Sequence, residues 1–401
     1  MRRKEPLATV LHILVARNRL LGGACLFVFA LLASGVGASA RITSPVGGVG
    51  GSIKAAVFEP AAASFISPSK GWVLARGGCV ACANLRVTTD GGRHWAALPS
   101  PRVPLWYYKA RSGAVRDVTF ADPANGFLFA PALLATHDGG KSWRRQSLPP
   151  VWQLSVGAGY AFALTRIGTD GRVALWRTAI GQDRWSRLRL PARAASLSSS
   201  SVYSVGLAVE GAAVVLLQPG FAGPSVARPR DMVGRLWASS DSGMSWRVRV
   251  VPCTTADGGA ALFAIALRHP HKWLIDCFDN KQSSQAQNTQ HHLYRSADAG
   301  ESWRRVSDPT RHNDPALLAD NGAGHALLAT VGGGGDTLVG SFDGGRRWRP
   351  LLRSGGGFFG WADLRFLTPQ IGFVVGPTHY APEHLYRTDD GGRNWHILPV
   401  G

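Results

Sequence analysis

Charged residues are scarce in this chain of 401 residues, at 17% of the total, and Glu is the rarest of them. Beyond residue 40, Glu occurs only at Glu59, Glu210, Glu301 and Glu383. The chain has no Gly-x-Ser-x-Gly elbow, phosphate-cradling glycine loop or His-Glu-x-x-His sequence, which argues against the enzyme classes that depend on them. It also has no run of five Lys or Arg residues, which favours positive charges scattered singly over the surface.

Glycine, with 49 residues, is abundant instead. Many glycines with few charged residues are typical of short strands joined by tight turns rather than of long helices. The formal net charge is +19, and it stays near +15 without the first 40 residues, which hold five basic residues and one acidic residue. Such an excess either attracts acidic glycans, anionic lipid or nucleic acid, or reflects Arg residues scattered singly over the surface.

The first 40 residues have the order of a secretory signal peptide. A basic stretch over 1–20 precedes the apolar segment Leu21–Ala33, and small residues then lead to a cleavage pattern that ends at Ala40. An uncleaved membrane anchor over residues 21–40 is the alternative, and both interpretations place the rest of the chain outside the cytoplasm. We therefore expect a secreted or extracytoplasmic protein, with a linker over 41–57 and a folded domain over 58–401.

Four cysteines remain beyond the leader. Their even number in an oxidising compartment predicts two disulfides, most simply Cys79–Cys82 and Cys253–Cys277. A zinc site would need further ligands nearby, and the Cys-x-x-Cys sequence has neither a His nor a second Cys-x-x-Cys beside it. We therefore expect no metal and no cofactor.

An eight-residue pattern, Ser/Thr-x-Asp-x-Gly-x-x-Trp, recurs along the chain. It occurs six times without error, and a seventh copy at 178–185 keeps Thr178 and Trp185 but has Ile180 in place of the Asp. Successive copies are 42 to 61 residues apart, which is the period of propeller blades. The Asp and Trp residues of the six complete copies are Asp90 and Trp95, Asp138 and Trp143, Asp241 and Trp246, Asp298 and Trp303, Asp343 and Trp348, and Asp390 and Trp395.

Each copy is expected to form a rigid β-hairpin corner. Its Asp accepts hydrogen bonds from backbone N–H groups in a tight turn, its Gly supplies a positive φ, and its Ser or Thr closes the turn. Its Trp opens the next strand and packs back over the corner. A calcium site is not expected, because each copy offers one carboxylate where calcium takes several oxygen ligands.

Short strands separated by Gly and Pro turns surround each copy. Residues 116–148 divide into RDVTF, a turn, FLFA, LLATHD leading into the repeat, and a last strand opened by Trp143. Four such strands make one antiparallel blade, so seven repeats predict an all-β, seven-bladed β-propeller over 58–401. The way in which the ring closes is left open, although residues 53–58 could add an outer strand.

Strands alternate in direction within a blade, so the repeats share one face and the remaining connections share the other. The second face receives aromatic residues beside Arg, which is the usual composition of a binding surface, although these aromatics could instead cap the core between blades. Four charged residues begin inner strands and are expected to line the central channel or to pair with each other. The ligand-binding candidates are Trp106, Tyr107, Tyr108, Arg111, Arg116, Asp117, Trp361, Asp363 and Arg365, of which Arg116, Asp117, Asp363 and Arg365 are those four.

The repeat resembles the Asp-box, or BNR, motif of sialidases, sortilin-type domains and related propellers. The fuller blade pattern, Phe120…Gly126-Phe127…Thr136…Trp143, returns at 366–395 and is similar to the photosystem II assembly and stability factors known as Ycf48-like or HCF136-like. The resemblance covers residues 55–401, approximately. It implies a seven-bladed propeller with an export signal that acts as a non-catalytic scaffold.

We predict a binding module rather than an enzyme. A sialidase-like glycosidase is the alternative, but the resemblance to that class implies an Arg triad, an early Arg-Ile-Pro segment and a Tyr/Glu nucleophile pair. The chain has Thr43 where the Pro would stand, and Glu210 near Tyr203 is its one comparable pair. Two carboxylates, Asp117 and Asp363, leave ordinary glycoside hydrolysis open.

The partner follows from export. We expect an envelope or extracellular protein, with an acidic glycan or an anionic surface as the second choice. Nucleic acid is not expected outside the cytoplasm, and the protein is expected to be a monomer.

Overall fold

The computed structural model describes residues 58–77, 82–106, 113–167, 172–191, 194, 205–218, 234–253, 261–279, 290–309, 314–331, 337–353, 361–376 and 384–400. All of them belong to one compact unit, Lys54–Gly401. No helix within these ranges is long and apolar enough to cross a membrane.

Seven four-stranded antiparallel sheets make up the fold, and each is built from one contiguous stretch of chain in the strand order first to fourth. This is the predicted all-β, seven-bladed propeller. The first three blades are β1 (Glu59–Phe65), β2 (Gly71–Arg76), β3 (Ala83–Thr88) and β4 (Ala96–Ala97); β5 (Asp117–Phe120), β6 (Gly126–Phe129), β7 (Leu134–Thr136) and β8 (Arg144–Arg145); and β9 (Val151–Gly157), β10 (Tyr160–Ile167), β11 (Arg172–Ala179) and β12 (Ser186–Arg187).

The last four blades follow the same scheme. They are β13 (Gly206–Glu210), β14 (Ala213–Gln218), β15 (Arg235–Ser239) and β16 (Arg247–Arg249); β17 (Ala261–His269), β18 (Lys272–Asp279), β19 (Gln290–Ser296) and β20 (Arg304–Ser307); β21 (Asp314–Asp320), β22 (Ala326–Val331), β23 (Thr337–Ser341) and β24 (Arg349–Arg353); and β25 (Ala362–Phe366), β26 (Gly372–Val375), β27 (Leu385–Thr388) and β28 (His396–Leu398).

The first strand of each blade lies innermost, and these strands contact one another in sequence around the ring, with β25 returning to β1. Within the described ranges, the first and seventh blades each use four strands of their own, so side chains rather than a shared strand join them. Phe65 of the first blade stacks on Phe373 of the seventh with ring centroids 3.6 Å apart. Arg387 Nη1 donates to the carbonyl oxygens of Pro68 and Gly91 at 3.0 and 2.9 Å.

A Phe at the end of an inner strand covers a Gly at the start of the second strand. A Cβ added at Gly126 would lie 2.5 Å from the ring of Phe120, so only Gly admits the ring there. Phe120 also stacks on Trp72 of the preceding blade, with centroids 3.6 Å apart. The same Phe–Gly contact occurs at Phe65 with Gly71 and at Phe366 with Gly372, which gives the Phe…Gly spacing of the sequence its physical reason.

The repeat turns have the hydrogen bonds that the motif predicts. In the second blade, Ser142 N donates to Asp138 Oδ1 at 2.9 Å and Gly140 N donates to Thr136 Oγ1 at 2.9 Å. Trp143 Nε1 donates to the Gly140 carbonyl oxygen at 3.1 Å and so fastens the indole over the corner. Partial burial raises the pKa of Asp138, but the hydrogen bonds from Ser142 and Thr136 outweigh burial and lower the pKa to about 2.

The degenerate repeat of the third blade keeps the corner without its carboxylate. Thr178 Oγ1 accepts a hydrogen bond from Arg184 N at 3.0 Å, whereas Trp185 Nε1 is buried with no partner in the described part of the chain. Asp183 instead binds the neighbouring blade, because its Oδ2 accepts a hydrogen bond from Gln146 Nε2 at 2.8 Å.

One of the two predicted disulfides lies within the described ranges. Cys253, after β16, is bonded to Cys277 in β18 with their Cα atoms 5.4 Å apart, and the bond joins the fourth blade to the fifth as expected. Cys82 is also disulfide-bonded, and Cys79, its predicted partner, lies outside the described residues.

Candidate functional site

The connections between strands divide between two faces of the ring. Turns between the first and second strands of a blade and the repeat turns lie on one face, which we name the repeat face. Connections between the second and third strands, and those from one blade to the next, lie on the opposite face, which we name the loop face. Each inner strand therefore begins at the loop face and ends at the repeat face.

Two Trp and two Arg side chains form a contiguous surface on the loop face, which we name the Trp–Arg patch: Trp106, Arg116, Trp152 and Arg166. The indole centroids of Trp106 and Trp152 lie 5.6 Å apart with their planes at 73°, an edge-to-face contact. Arg116 Cζ lies 5.9 Å from the Trp106 ring and Arg166 Cζ lies 4.4 Å from the Trp152 ring. The four side chains thus follow one another in the order Arg, Trp, Trp, Arg, with the two indoles between the two guanidinium groups.

The backbone fixes each member of the patch. Trp106 N donates to the Val115 carbonyl oxygen at 2.7 Å, which holds the connection between the first two blades against the start of β5. Trp152 is the second residue of β9. Arg166 lies on the neighbouring strand β10, and its N–H donates to the Pro150 carbonyl oxygen at 3.2 Å. The patch is therefore built on the loop-face ends of strands and on a hydrogen-bonded connection.

The patch offers cations and aromatic surface. Arg116 is exposed and Arg166 is half-buried, and burial lowers the pKa of Arg166 without removing its charge at physiological pH. The Nε1 atom of Trp152 is buried with no hydrogen-bond partner in the described part of the chain. Trp and Arg are the residues that carry most energy at protein interfaces, and guanidinium groups bind carboxylates in paired hydrogen bonds.

Asp117 and Asp363 form a second feature, in the channel. They lie on β5 and β25, the two inner strands that flank β1. Asp363 Oδ2 accepts a hydrogen bond from Ala63 N at 2.8 Å, and Asp117 Oδ1 accepts one from Val118 N at 2.8 Å. Burial raises the pKa of both carboxyl groups, and the charge of Asp117 contributes to raising the pKa of Asp363 to about 8. At neutral pH the pair therefore retains a proton.

The backbone at Asp363 is strained. Its φ of 52° lies in the left-handed region, which non-glycine residues seldom adopt, and it stands in an irregular part of the pairing between β25 and β26. Such strain accumulates at functional positions, where surrounding structure must hold it in place. Here the bond from Ala63 N supplies one such constraint.

A cavity of about 290 Å³ occupies the channel towards the repeat face, lined by inner strands β9, β13, β17, β21 and β25. Its charged lining consists of Glu210, Arg268, Asp320 and Arg365. Burial raises the pKa of Glu210, and the charges of Arg268 and Arg365 oppose that rise.

The structure brings several of the sequence candidates together. The charge of Asp117 raises the pKa of Asp363, and the charges of Arg116 and Arg365 favour the ionised form of both carboxyl groups. Among the described residues, no ion pair joins any two of these four. Trp106 belongs to the Trp–Arg patch together with Arg116.

Other candidates lie elsewhere. Trp361 is 5% exposed and packs near Tyr386 in the core between the sixth and seventh blades, which matches the alternative that such aromatics cap the core. Tyr107, Tyr108 and Arg111 lie outside the described residues.

Sequence reasoning missed two residues of the patch, Trp152 and Arg166. The signal was present, because VWQLSVG follows Pro149-Pro150 and reads as an inner strand whose first residues face the loops. Arg166 stands at the loop-face end of the next strand. Aligning the third blade by strand ends, rather than by its degenerate repeat, places both side chains on the loop face.

The carboxyl and guanidinium groups of the patch and the channel can exchange protons or bind charged ligands. Throughout the described ranges, no group of three or more His, Cys, Asp or Glu residues is placed to hold a metal ion.

Comparison with known proteins yields structural likenesses. No protein-family model and no curated protein matches the chain. A structure of Ycf48 bound to D1 peptide is similar, at 18% identity over 83% of this chain and 94% of that one, with a TM-score of 0.53. Ycf48 from Cyanidioschyzon merolae is similar at 17% identity over 82% of this chain and 95% of that one, with a TM-score of 0.52.

An enzyme also shares the architecture. An ulvan lyase bound to its saccharide is similar at 11% identity over 86% of this chain and 95% of that one, with a TM-score of 0.50. At these identities the likenesses establish a Ycf48-like propeller fold, and function must be argued from the site.

Proposed function

We propose that the protein is an exported, non-catalytic propeller scaffold that binds a segment of an envelope or extracellular protein at the Trp–Arg patch. The observation that carries the proposal is the Arg–Trp–Trp–Arg arrangement, in which two cations flank two indoles on the loop face. Loops and strand ends over a rigid ring are where propellers and similar scaffolds place recognition residues.

The chemistry of the patch selects the ligand. The guanidinium groups of Arg116 and Arg166 favour carboxylates, and the indoles of Trp106 and Trp152 favour apolar or aromatic side chains. A peptide that combines acidic and aromatic residues meets both requirements.

Two further observations support the cellular setting and the ligand class. A disulfide joins the fourth and fifth blades, which suits an oxidising compartment outside the cytoplasm and agrees with the leader over 1–40. The similar propeller of Ycf48 is known bound to D1 peptide, so a related fold holds a peptide ligand.

The test is a binding measurement on an array of immobilised decapeptides that vary acidic and aromatic content. The full chain, produced with export into an oxidising compartment, should bind peptides rich in both, and binding should weaken with salt because its cations are exposed. Trp152→Ala and Arg166→Ala should each weaken binding tenfold or more, on the order of 1–2 kcal/mol at an interface.

Arg346→Ala is the matched control. Arg346 is an exposed Arg on the repeat face, and its hydrogen bond to Asp343 Oδ1 is donated by the backbone, so loss of its side chain should leave peptide binding unchanged. Equal binding by wild type, Trp152→Ala and Arg166→Ala would contradict the proposal.

One observation favours a second candidate, a glycoside hydrolase acting on extracellular glycans. Asp363 has a pKa of about 8 and lies beside Asp117, so the pair combines a protonated carboxyl group with a second carboxyl group, as glycosidases require. Turnover of fluorogenic sialosides and other glycosides, abolished by Asp363→Asn, would establish this candidate in place of the scaffold.

A further inference from the structure

The channel contains an unpaired cation. Arg365 lies on β25, is exposed to the cavity, and forms no ion pair or hydrogen bond through its side chain with the described residues. Its charge nevertheless acts on three carboxyl groups, those of Asp117, Asp363 and Glu210. The guanidinium group therefore stands among acids without being neutralised by direct contact with any of them.

The other charges around the cavity leave an excess of positive charge. Asp320 forms an ion pair with Arg295, with Nη2 and Oδ2 3.1 Å apart. Arg268 donates one hydrogen bond through Nη2 to the Leu367 carbonyl oxygen at 3.2 Å, and its other N–H groups have no partner among the described residues, so they can bind a ligand. Glu210 is half-buried, and burial favours its neutral form.

The Asp117–Asp363 pair does not cancel this excess. Since the pair retains a proton at neutral pH, it carries less than two negative charges. The positive charges of Arg116 and Arg365 both act on the pair.

The shape of the cavity fits a small ligand. Its volume of about 290 Å³ lies at the lower end of the range for small-molecule sites. Apolar side chains, including Val209 and Phe366, share the lining with the charged groups. Glu210 and Asp320 are the last residues of β13 and β21, so the cavity lies at the repeat-face ends of the inner strands.

We propose that the repeat-face end of the central channel is a binding site for a small organic acid, whose carboxylate is held by Arg365 and Arg268. A planar guanidinium group binds a carboxylate through two parallel hydrogen bonds, and enclosure in the channel strengthens them. The apolar lining accommodates a short carbon chain. This site is separate from the Trp–Arg patch and does not depend on it.

The test uses calorimetric titration of the full chain with succinate, butyrate and inorganic phosphate at pH 7. We expect saturable binding of succinate or butyrate, a weakening of tenfold or more in Arg365→Ala, and partial recovery in Arg365→Lys, which keeps the charge but not the fork. Arg346→Ala, on the outside of the repeat face, should bind as wild type does. Trp152→Ala should also bind the acid as wild type does, which separates this site from the patch.

Three outcomes would overturn the inference. They are no saturable binding of either acid to wild type, equal affinity in wild type and Arg365→Ala, or phosphate binding at least as tight as that of the acids. Thermal unfolding of each variant shows whether the ring is intact, and a variant that unfolds at the wild-type temperature but loses the acid supports the assignment.

Discussion

The side chain of Asp363 accepts a hydrogen bond from the backbone N–H of Ala63, with Oδ2 and N 2.8 Å apart, across the junction of the seventh and first blades. The residues are 300 positions apart in the chain, and the bond fixes a carboxyl group of the channel to the strand that closes the ring. The side chain of Asp363 therefore both holds a proton in the channel and forms a contact that closes the ring.

This contact predicts how stability depends on pH. Burial raises the pKa of Asp363 from 3.8 to about 8, so the folded protein binds a proton there that the unfolded chain has lost above pH 4. The stabilising contribution is complete below pH 3.8 and decreases as pH rises to about 8. We expect Asp363→Asn, which can still accept the Ala63 bond, to remove most of this decrease, which is on the order of 4 kcal/mol between pH 5 and 8 for a pKa of about 8. Thermal melts of both proteins between pH 5 and 8 measure it, and parallel curves would contradict it.

The repeat turns predict opposite effects at two equivalent positions. Ala299 has a φ of 57° where Gly344 has a φ of 79°, and each directly precedes the glycine that all six complete repeats share, Gly300 or Gly345. Ala299→Gly should stabilise the protein and Gly344→Ala should destabilise it, each by about 1 kcal/mol, because a Cβ disfavours left-handed backbone. An added Cβ at Gly344 meets no atom within 4 Å, so its cost isolates the backbone effect. Denaturant midpoints measure both changes, and effects of the same sign would refute the explanation.

The contact of Phe120 with Gly126 predicts a steric penalty. Gly126→Ala places a Cβ 2.5 Å from the ring, so the ring must leave its stack with Trp72, and we expect a loss of about 1–3 kcal/mol. Gly206→Ala is the control, since its Cβ would come no closer than 3.4 Å to a neighbour. Thermal unfolding should show a lower midpoint for the first variant alone.

The disulfide between Cys253 and Cys277 predicts a loss of stability on removal. The cysteines are 24 residues apart, and opening a loop of that size costs about 3 kcal/mol in the chain-entropy estimate. The double variant Cys253→Ala with Cys277→Ala should unfold at lower denaturant than wild type. Wild type measured in reductant should shift in the same direction, and an unchanged midpoint in both experiments would exclude a stabilising role.

The repeat made the fold readable from the sequence. Asp138 and Trp143 each form a hydrogen bond with another residue of the same turn, so the geometry of the turn depends on residues that are close together in the sequence. Even the third blade was recognisable, because Thr178 keeps its role when the Asp is absent. Short-range hydrogen bonds of this kind produce a motif of consecutive residues, and the number of copies of that motif gives the number of blades.

The site was less readable, because its contacts join separate blades. Trp106 and Trp152 meet across a connection and a strand start that no motif relates. Asp117 and Asp363 were expected to line the channel or to pair, but their coupling depends on how the ring closes, which the sequence left open. Trp361, grouped with exposed aromatics by its loop, packs into the core instead.

Each blade of this ring consists of consecutive residues only, and the seventh blade meets the first through Phe65, Phe373 and Arg387. A gene rearranged so that the chain starts at a different blade would therefore keep every sheet whole, whereas in a propeller with a composite blade the same rearrangement splits a sheet. The chain would then connect the two blades that meet at Phe65 and Phe373, and another pair of neighbouring blades would lose its chain connection. Circular permutants thus offer a way to decide which blade boundary opens first when the ring unfolds.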